Sequence, residues 1–255
     1  MNLGEFEVGL NIKELDNAFA FYQSLGFQLV NGNFDVGMFT LAKNDCRIAI
    51  YHANHKGFVE EMLYLQFYQG EVENIIRHAE GKGLKLTSPI RREDRGINAQ
   101  FKDPDGRIVN LIQQPDSYRP DMRTDKAYRL RRLGSENARL VPDHAIDISF
   151  GRFVLKLFSE DVLKTSAFYL SLGFEEIFND RGESCHLVSG DCVLRLQKSI
   201  GTDTDPEMIF EGGDLNAIAA SLKATGIILP SLKDEEQEND ISIYDPDGYL
   251  LRFIN

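Results

Sequence analysis

Phe21-Tyr22-Gln23-Ser24-Leu25-Gly26-Phe27 returns later in the chain as Phe168-Tyr169-Leu170-Ser171-Leu172-Gly173-Phe174. Asp103-Pro104-Asp105-Gly106 likewise returns as Asp245-Pro246-Asp247-Gly248. Phe21 to Phe168 is a step of 147 residues, and Asp103 to Asp245 a step of 142. Two unlike motifs in the same order and nearly the same register identify a tandem repeat, which has to be found before any element is assigned. The units run from residues 1 to 115 and from 148 to 255. Between them, residues 116–147 carry Pro120, Gly134 and Pro142 and read as a linker, with a helix expected near Thr124–Leu133.

A finer period lies inside each unit. Phe6, Val8, Leu10 and Ile12 alternate with Glu7, Gly9 and Asn11, the pattern of a half-buried strand. Helical spacing follows from Asp16 to Leu25, and Gly26 stands where a helix end favours positive φ. Short strands are expected near 27–31, 36–42 and 46–51. The order then restarts with a strand at Leu63–Phe67, a helix at Glu71–Glu80, and strands near 84–87, 97–102 and 107–113. The second unit repeats this with Phe153–Phe158, a helix at 161–171, strands to Gln197, then Met208–Glu211, a helix at 214–224 and strands to Phe253. Each unit is therefore two βαβββ modules. The Asp-Pro-Asp-Gly tetrads read as turns, because proline pre-sets φ near −65° and glycine takes the left-handed exit.

These motifs resemble the vicinal-oxygen-chelate (glyoxalase/bleomycin-resistance/dioxygenase) superfamily. The features that carry the resemblance are a helix ending Phe-Tyr-x-x-Leu-Gly-Phe and a late Asp-Pro-Asp-Gly turn before the last strand. It covers about 220 of the 255 residues. It implies an α+β fold of tandem glyoxalase-like domains, each with a curved sheet around a cavity. Its enzymes hold a metal with His, Gln or Glu side chains from the first and last strand of each module. Counting from the motifs places those positions at Glu7, Ala49, Tyr64 and Asn110 in the first repeat. In the second they fall on Val154, Arg195, Glu207 and Arg252. A divalent site needs at least three suitable donors at one point. Neither set supplies them, and two arginines oppose a dication, so no metal and no other cofactor is expected.

Strand parity turns Glu7, Asn11, Arg47, Tyr51, Tyr64, Gln66 and Asn110 inward in the first repeat. That is a polar and aromatic lining suited to a small polar or planar ligand. Glu7 is the best candidate for a catalytic base, although pairing with Arg47 across the cavity is the favoured account of it. In the second repeat Lys156, Arg195, Glu207 and Arg252 face inward with Val154 and Phe158. Arginine and lysine together favour a carboxylate or phosphate group, unless Glu207 absorbs them in a structural network. His52 and His55 are expected in a polar loop, His78 on a solvated helix face, His144 in the linker, and His186 in a strand. Cys185 and Cys192 flank a hairpin through Gly190 and read as core or cross-strand thiols.

Composition limits the rest. Hydrophobic residues make up 42% and charged residues 27%, ordinary for a globular chain. A formal charge of -12 disfavours nucleic acid. The exception is the basic strip from Arg119 to Arg139, expected to be a solvated linker or a docking strip. No apolar run reaches the roughly 18 residues of a membrane span, and no secretory signal is expected at the start. With three cysteines no disulfide framework is expected, which points to the reducing cytoplasm. Fusing two repeats supplies the partner at high effective concentration, so a monomer with intrachain domain pairing or a homodimer is expected. The leading reading is a metal-independent small-molecule-binding protein. Alternatives are a metal-dependent lyase or dioxygenase of glyoxalase type, and an interaction protein acting through the arginine-rich linker.

Overall fold

The computed structural model describes residues 2–33, 37–52, 63–93, 96–115, 148–201, 205–227, 229 and 240–255. The linker strip, His55 and His144 lie outside them.

The first repeat is built of β1 (Gly4–Ile12), α1 (Leu15–Ser24), β2 (Gln28–Asn33), β3 (Met38–Lys43) and β4 (Cys46–His52). It continues with β5 (Leu63–Gln69), α2 (Val72–Gly81), β6 (Arg91–Glu93), β7 (Gly96–Lys102) and β8 (Ile108–Gln113). The second repeat opens with β9 (Gly151–Ser159), α3 (Val162–Leu172), β10 (Glu175–Asp180), β11 (Ser184–Ser189) and β12 (Cys192–Lys198). Its last module has β13 (Glu207–Gly212), α4 (Leu215–Ala224), β14 (Asp240–Tyr244) and β15 (Leu250–Ile254) among the described residues. The strands form two mixed sheets, ordered β2-β3-β4-β1-β5-β8-β7-β6 and β10-β11-β12-β9-β13-β15-β14. The α+β fold of two tandem halves is thus as the repeat implies.

Two expectations need correction. β1 is not half-buried, because Phe6, Glu7, Val8, Gly9 and Leu10 are all buried. Polar residues alternating with apolar ones here mark a second, polar, packed face rather than a wet one. The strand expected at 84–87 is absent. β6 forms instead at Arg91–Glu93, where Arg91 pairs with Asn98, beyond Pro89, which lacks the N–H a ladder requires. Thr87 still donates its backbone N–H to Gln100 O at 2.9 Å.

The chain divides into two compact units, each drawing one module from each repeat. One runs over Met1–Gly9, Glu61–Arg119 and Val154–Pro206, the other over Leu10–Glu60, Pro120–Phe153 and Glu207–Asn255. In the first unit the core stacks Phe6 on Phe67 at 5.2 Å and Phe67 edge-on to Phe174 at 5.8 Å. Helix α3 starts where the Asp161 carboxylate accepts the Lys164 N–H, a side-chain cap that satisfies an orphan donor. Gly173 ends it at φ 106.

In the second unit Phe19 meets Phe39 edge-on at 5.1 Å, and Phe150 packs on Phe253 at 4.8 Å. Asp214 caps α4 through Ala217 N–H. Each unit also contains close backbone approaches that only glycine allows. A Cβ on Gly4 would stand 1.9 Å from Tyr68 O, and one on Gly151 would stand 2.0 Å from Glu211 O. Both glycines have positive φ as well, 92 and 89.

The Asp-Pro-Asp-Gly segments are turns, with Gly106 N–H donating to Asp103 O at 3.0 Å and Gly248 N–H to Asp245 O at 3.1 Å. They also do something the turn reading missed. Asp103 and Asp245 are 4% and 5% exposed, and each binds the motif tyrosine of the other repeat. Tyr169 donates to Asp103 Oδ2 at 3.0 Å, and Tyr22 to Asp245 Oδ2 at 2.9 Å. Around each pair the second turn aspartate accepts a backbone N–H from the end of the other repeat's first strand: Glu160 to Asp105, Lys13 to Asp247. The residue after each turn glycine reaches that same strand. Arg107 donates to Phe158 O, and Tyr249 donates to Asn11 O at 3.1 Å.

Candidate binding faces and their relatives

Glu7, Tyr64, Gln66, Asn110, Lys156 and Arg195 lie in one unit, and Asn11, Arg47, Tyr51, Glu207 and Arg252 in the other. Phe6 and Phe67 pack together, so Glu7 and Gln66, one residue removed on each strand, share the opposite face. Gln66 stands beside Asn110 in the parallel register of β5 and β8. Glu7 is 2%, Tyr64 4%, Gln66 1% and Asn110 6% exposed. The Tyr68 phenol donates to Gln66 Oε1 at 2.7 Å. The Oδ1 of Asn110 is buried and has no hydrogen-bond partner among the described residues.

The second strand pair of that unit is basic. Lys156 on β9 lies in register with Arg195 on β12, and Arg195 lies opposite His186 on β11. Lys156 Nζ stands 4.5 Å above the Phe158 ring, and Phe178 meets the His186 ring at 5.1 Å. Val154 shares the parity of Lys156 and is buried. Sequence reasoning put His186 in a strand but did not bring it to this face. The β11–β12 hairpin register supplies that information.

In the other unit Phe39 faces α1 through Phe19. The alternate residues of β3 and β4 therefore face away: Thr40 opposite Ala49, Met38 opposite Tyr51, and Ala42 opposite Arg47. Asn11 is used through its backbone, its N–H donating to the Tyr249 hydroxyl at 3.2 Å. Arg252 is held on two sides, donating to Glu207 Oε2 at 3.0 Å and to the Asp240 carboxylate. Of the basic residues set against Glu207 in the sequence, Arg252 is the one seen bonded to it, and Asp240 holds the other side of that guanidinium.

The histidines and cysteines add little chemistry. His52 is the last residue of β4 rather than part of a loop, and its N–H donates to Gly37 O at 2.8 Å. His78 is exposed on α2. Cys46, Cys185 and Cys192 are free and buried. Cys192 lies opposite Ser189 and Cys185 opposite Leu196, so the last two are core thiols rather than a cross-strand pair. Burial, with Glu176 beside it, pushes the Cys185 thiol up to about 12, a value at which it is not a thiolate nucleophile.

Whether the implied metal suits these residues is a question of donors. The positions counted from the motifs hold one carboxylate in each repeat, Glu7 and Glu207, and Glu207 is already neutralised by Arg252. Among the described residues no three His, Cys, Asp or Glu side chains gather to hold an ion. The counted set does not fit a dication in the second repeat. In the first it supplies one anionic and one amide oxygen. No helix of the described residues is long and apolar enough to cross a membrane.

Two sheets, each assembled from paired βαβββ modules and each carrying polar side chains on the face turned from the helix-packed core, define a class of paired-module domain. Residues 6–111 match the model of the Glyoxalase/Bleomycin resistance protein/Dioxygenase superfamily. The first repeat is a domain of that superfamily, and the second repeat has the same motifs on a sheet of the same strand order. Similar solved structures include a catechol 2,3-dioxygenase, at TM-score 0.59 and 17% identity over 98% of this chain and 86% of that one. The 2,3-dioxygenase LapB from Pseudomonas sp. KL28 has TM-score 0.60 and 14% identity over 98% and 90%. The Mn(II)-bound glyoxalase from Novosphingobium aromaticivorans has TM-score 0.60 and 16% identity over 98% and 81%. At such identities the likeness is one of fold. No curated protein matches the chain.

Proposed function

We propose that this protein binds a small organic anion without a metal, through the second repeat. The observation that carries the reading is the placement of Arg252. It stands at the last-strand position where the superfamily's metal enzymes place a donor, and it is ion-paired with Glu207 and Asp240. In the other unit Lys156 and Arg195 are in register on β9 and β12, with Phe158 and His186 next to them on the same face. A carboxylate or phosphate accepts charge-assisted hydrogen bonds from a lysine and an arginine set side by side.

The second reading is a metal-dependent lyase or dioxygenase of glyoxalase type. It is favoured by the fold it shares with the catechol 2,3-dioxygenase and the Mn(II)-bound glyoxalase. Elemental analysis of the dialysed protein, together with calorimetric titration with sodium benzoate and inorganic phosphate, separates the two. The expected result is far less than one manganese, iron, nickel or zinc per chain. Anion binding should be saturable and weakened about tenfold or more by Arg195→Ala. One tightly held ion per chain, or anion binding indifferent to Arg195, overturns the proposal.

A further inference from the structure

We infer that the first repeat presents a second binding face of opposite preference, for a small neutral or cationic molecule that donates hydrogen bonds: an amide, amidine or polyol. It rests on reading the chain as a metal-free small-molecule binder, and it concerns a different set of residues from the anion face. Asn110, 6% exposed, keeps a buried Oδ1 that no donor among the described residues reaches. An unsatisfied buried acceptor costs about 1–3 kcal/mol of stability, and folded proteins keep few of them. The carbonyl is not isolated. It lies beside Gln66 in the β5–β8 register and opposite Gln100 in the β7–β8 register, and Glu7 shares the face from β1. Gln66 Oε1 already accepts the Tyr68 phenol, so that acceptor is matched within the protein. The orphan carbonyl, set among acceptor side chains, calls for an N–H or O–H group and disfavours an anion.

The repeat itself supplies the control. The positions equivalent to Glu7, Gln66 and Asn110 are Val154, Ile209 and Arg252. Acceptors in the first copy are thus replaced by apolar or cationic groups in the second. A purely structural requirement of the fold would act on both copies alike. The first copy tolerates a buried, unpartnered carbonyl that the second does without, which fits a group kept for a ligand.

The test uses the full chain and ligand-observed NMR with benzamide, benzamidine, benzyl alcohol and benzoate. Benzamide and benzamidine are expected to show saturable signals that Asn110→Leu weakens about tenfold or more. Asn110→Asp, which keeps the acceptor and the shape, should retain benzamidine. Benzoate binding should be unaffected by Asn110→Leu. Because Leu removes an unsatisfied acceptor, that variant should melt about 2–4 °C higher. A lower melting temperature shows Oδ1 to be satisfied within the protein and overturns the inference, as does amide binding indifferent to position 110. Failure of amides and amidines to bind while benzoate still binds overturns this inference alone. Stoichiometric manganese, nickel or zinc released by Asn110→Leu overturns this inference and the proposed function together.

Discussion

Tyr169 and Asp103, 66 positions apart, form a buried phenol–carboxylate hydrogen bond of 3.0 Å, and Tyr22 with Asp245 forms its counterpart at 2.9 Å. The helix motif of each repeat is thereby fastened to the turn motif of the other. Burial, followed by the nearby aspartate, pushes both phenols well above their ordinary value, so both remain hydrogen-bond donors.

The two pairs differ in what else the carboxylate holds. Asp103 Oδ2 also accepts Arg107 at 2.9 Å, whereas the residue equivalent to Arg107 in the other unit is Tyr249. Tyr169→Phe should therefore cost about 1 kcal/mol and Tyr22→Phe about 2–3 kcal/mol, since the second substitution strips a buried oxygen of its donor. Urea unfolding measures both. A larger loss for Tyr169→Phe would contradict this account.

The turn aspartates predict opposite pH slopes. Burial pushes the Asp105 carboxyl up, but the Glu160 N–H, the Thr165 and Ser159 hydroxyls and Arg107 outweigh it and hold it below the ordinary value. Its contribution is present above the ordinary carboxylate range near 4 and is lost as pH falls through the lowered value. Burial raises Asp245, and Asp247 adds to the rise, against hydrogen bonds that pull it down. Its contribution is present at low pH and is lost as pH rises through the raised value. The stability gap between wild type and Asp105→Asn should widen with rising pH, and the gap to Asp245→Asn should narrow. Denaturant midpoints between about pH 3 and pH 7 read both slopes.

Gly4→Ala and Gly151→Ala should each cost at least about 2–3 kcal/mol, because each forces a Cβ onto a carbonyl oxygen and holds an L-residue at positive φ. A thermal melt of either variant within a degree of wild type would show that the strand ends can separate.

Arg252→Met should destabilise the protein by about 1–3 kcal/mol by leaving the Glu207 and Asp240 carboxylates without their shared cation. Arg252 is 31% exposed, so part of that loss is screened, and it should shrink in about 1 M salt. A salt-independent loss would point to the packing of the methylene stem instead.

The repeat, the four modules and most strand positions were legible because they rest on local periodicity and on turn residues with fixed conformations. Gln66 and Asn110, read from the same alternation onto one face, stand side by side in the β5–β8 register. β1 was misread because alternation records residue chemistry, and a polar residue such as Glu7 can be packed as tightly as Val8. The cross-repeat bonds of Tyr169, Arg107 and Tyr249 were not legible. A tyrosine or arginine has no sequence mark for a partner 51 or more positions away. His186 was missed because its neighbours depend on where a two-residue hairpin sets the register.

Since each compact unit needs a module from both repeats, the covalent stretch at 116–147 is not what keeps the halves together. A protease cut there should yield two fragments that co-elute under native conditions and part only in denaturant. Either repeat expressed by itself should seek a twin, rebuilding from two identical chains the exchange that one chain now performs with itself.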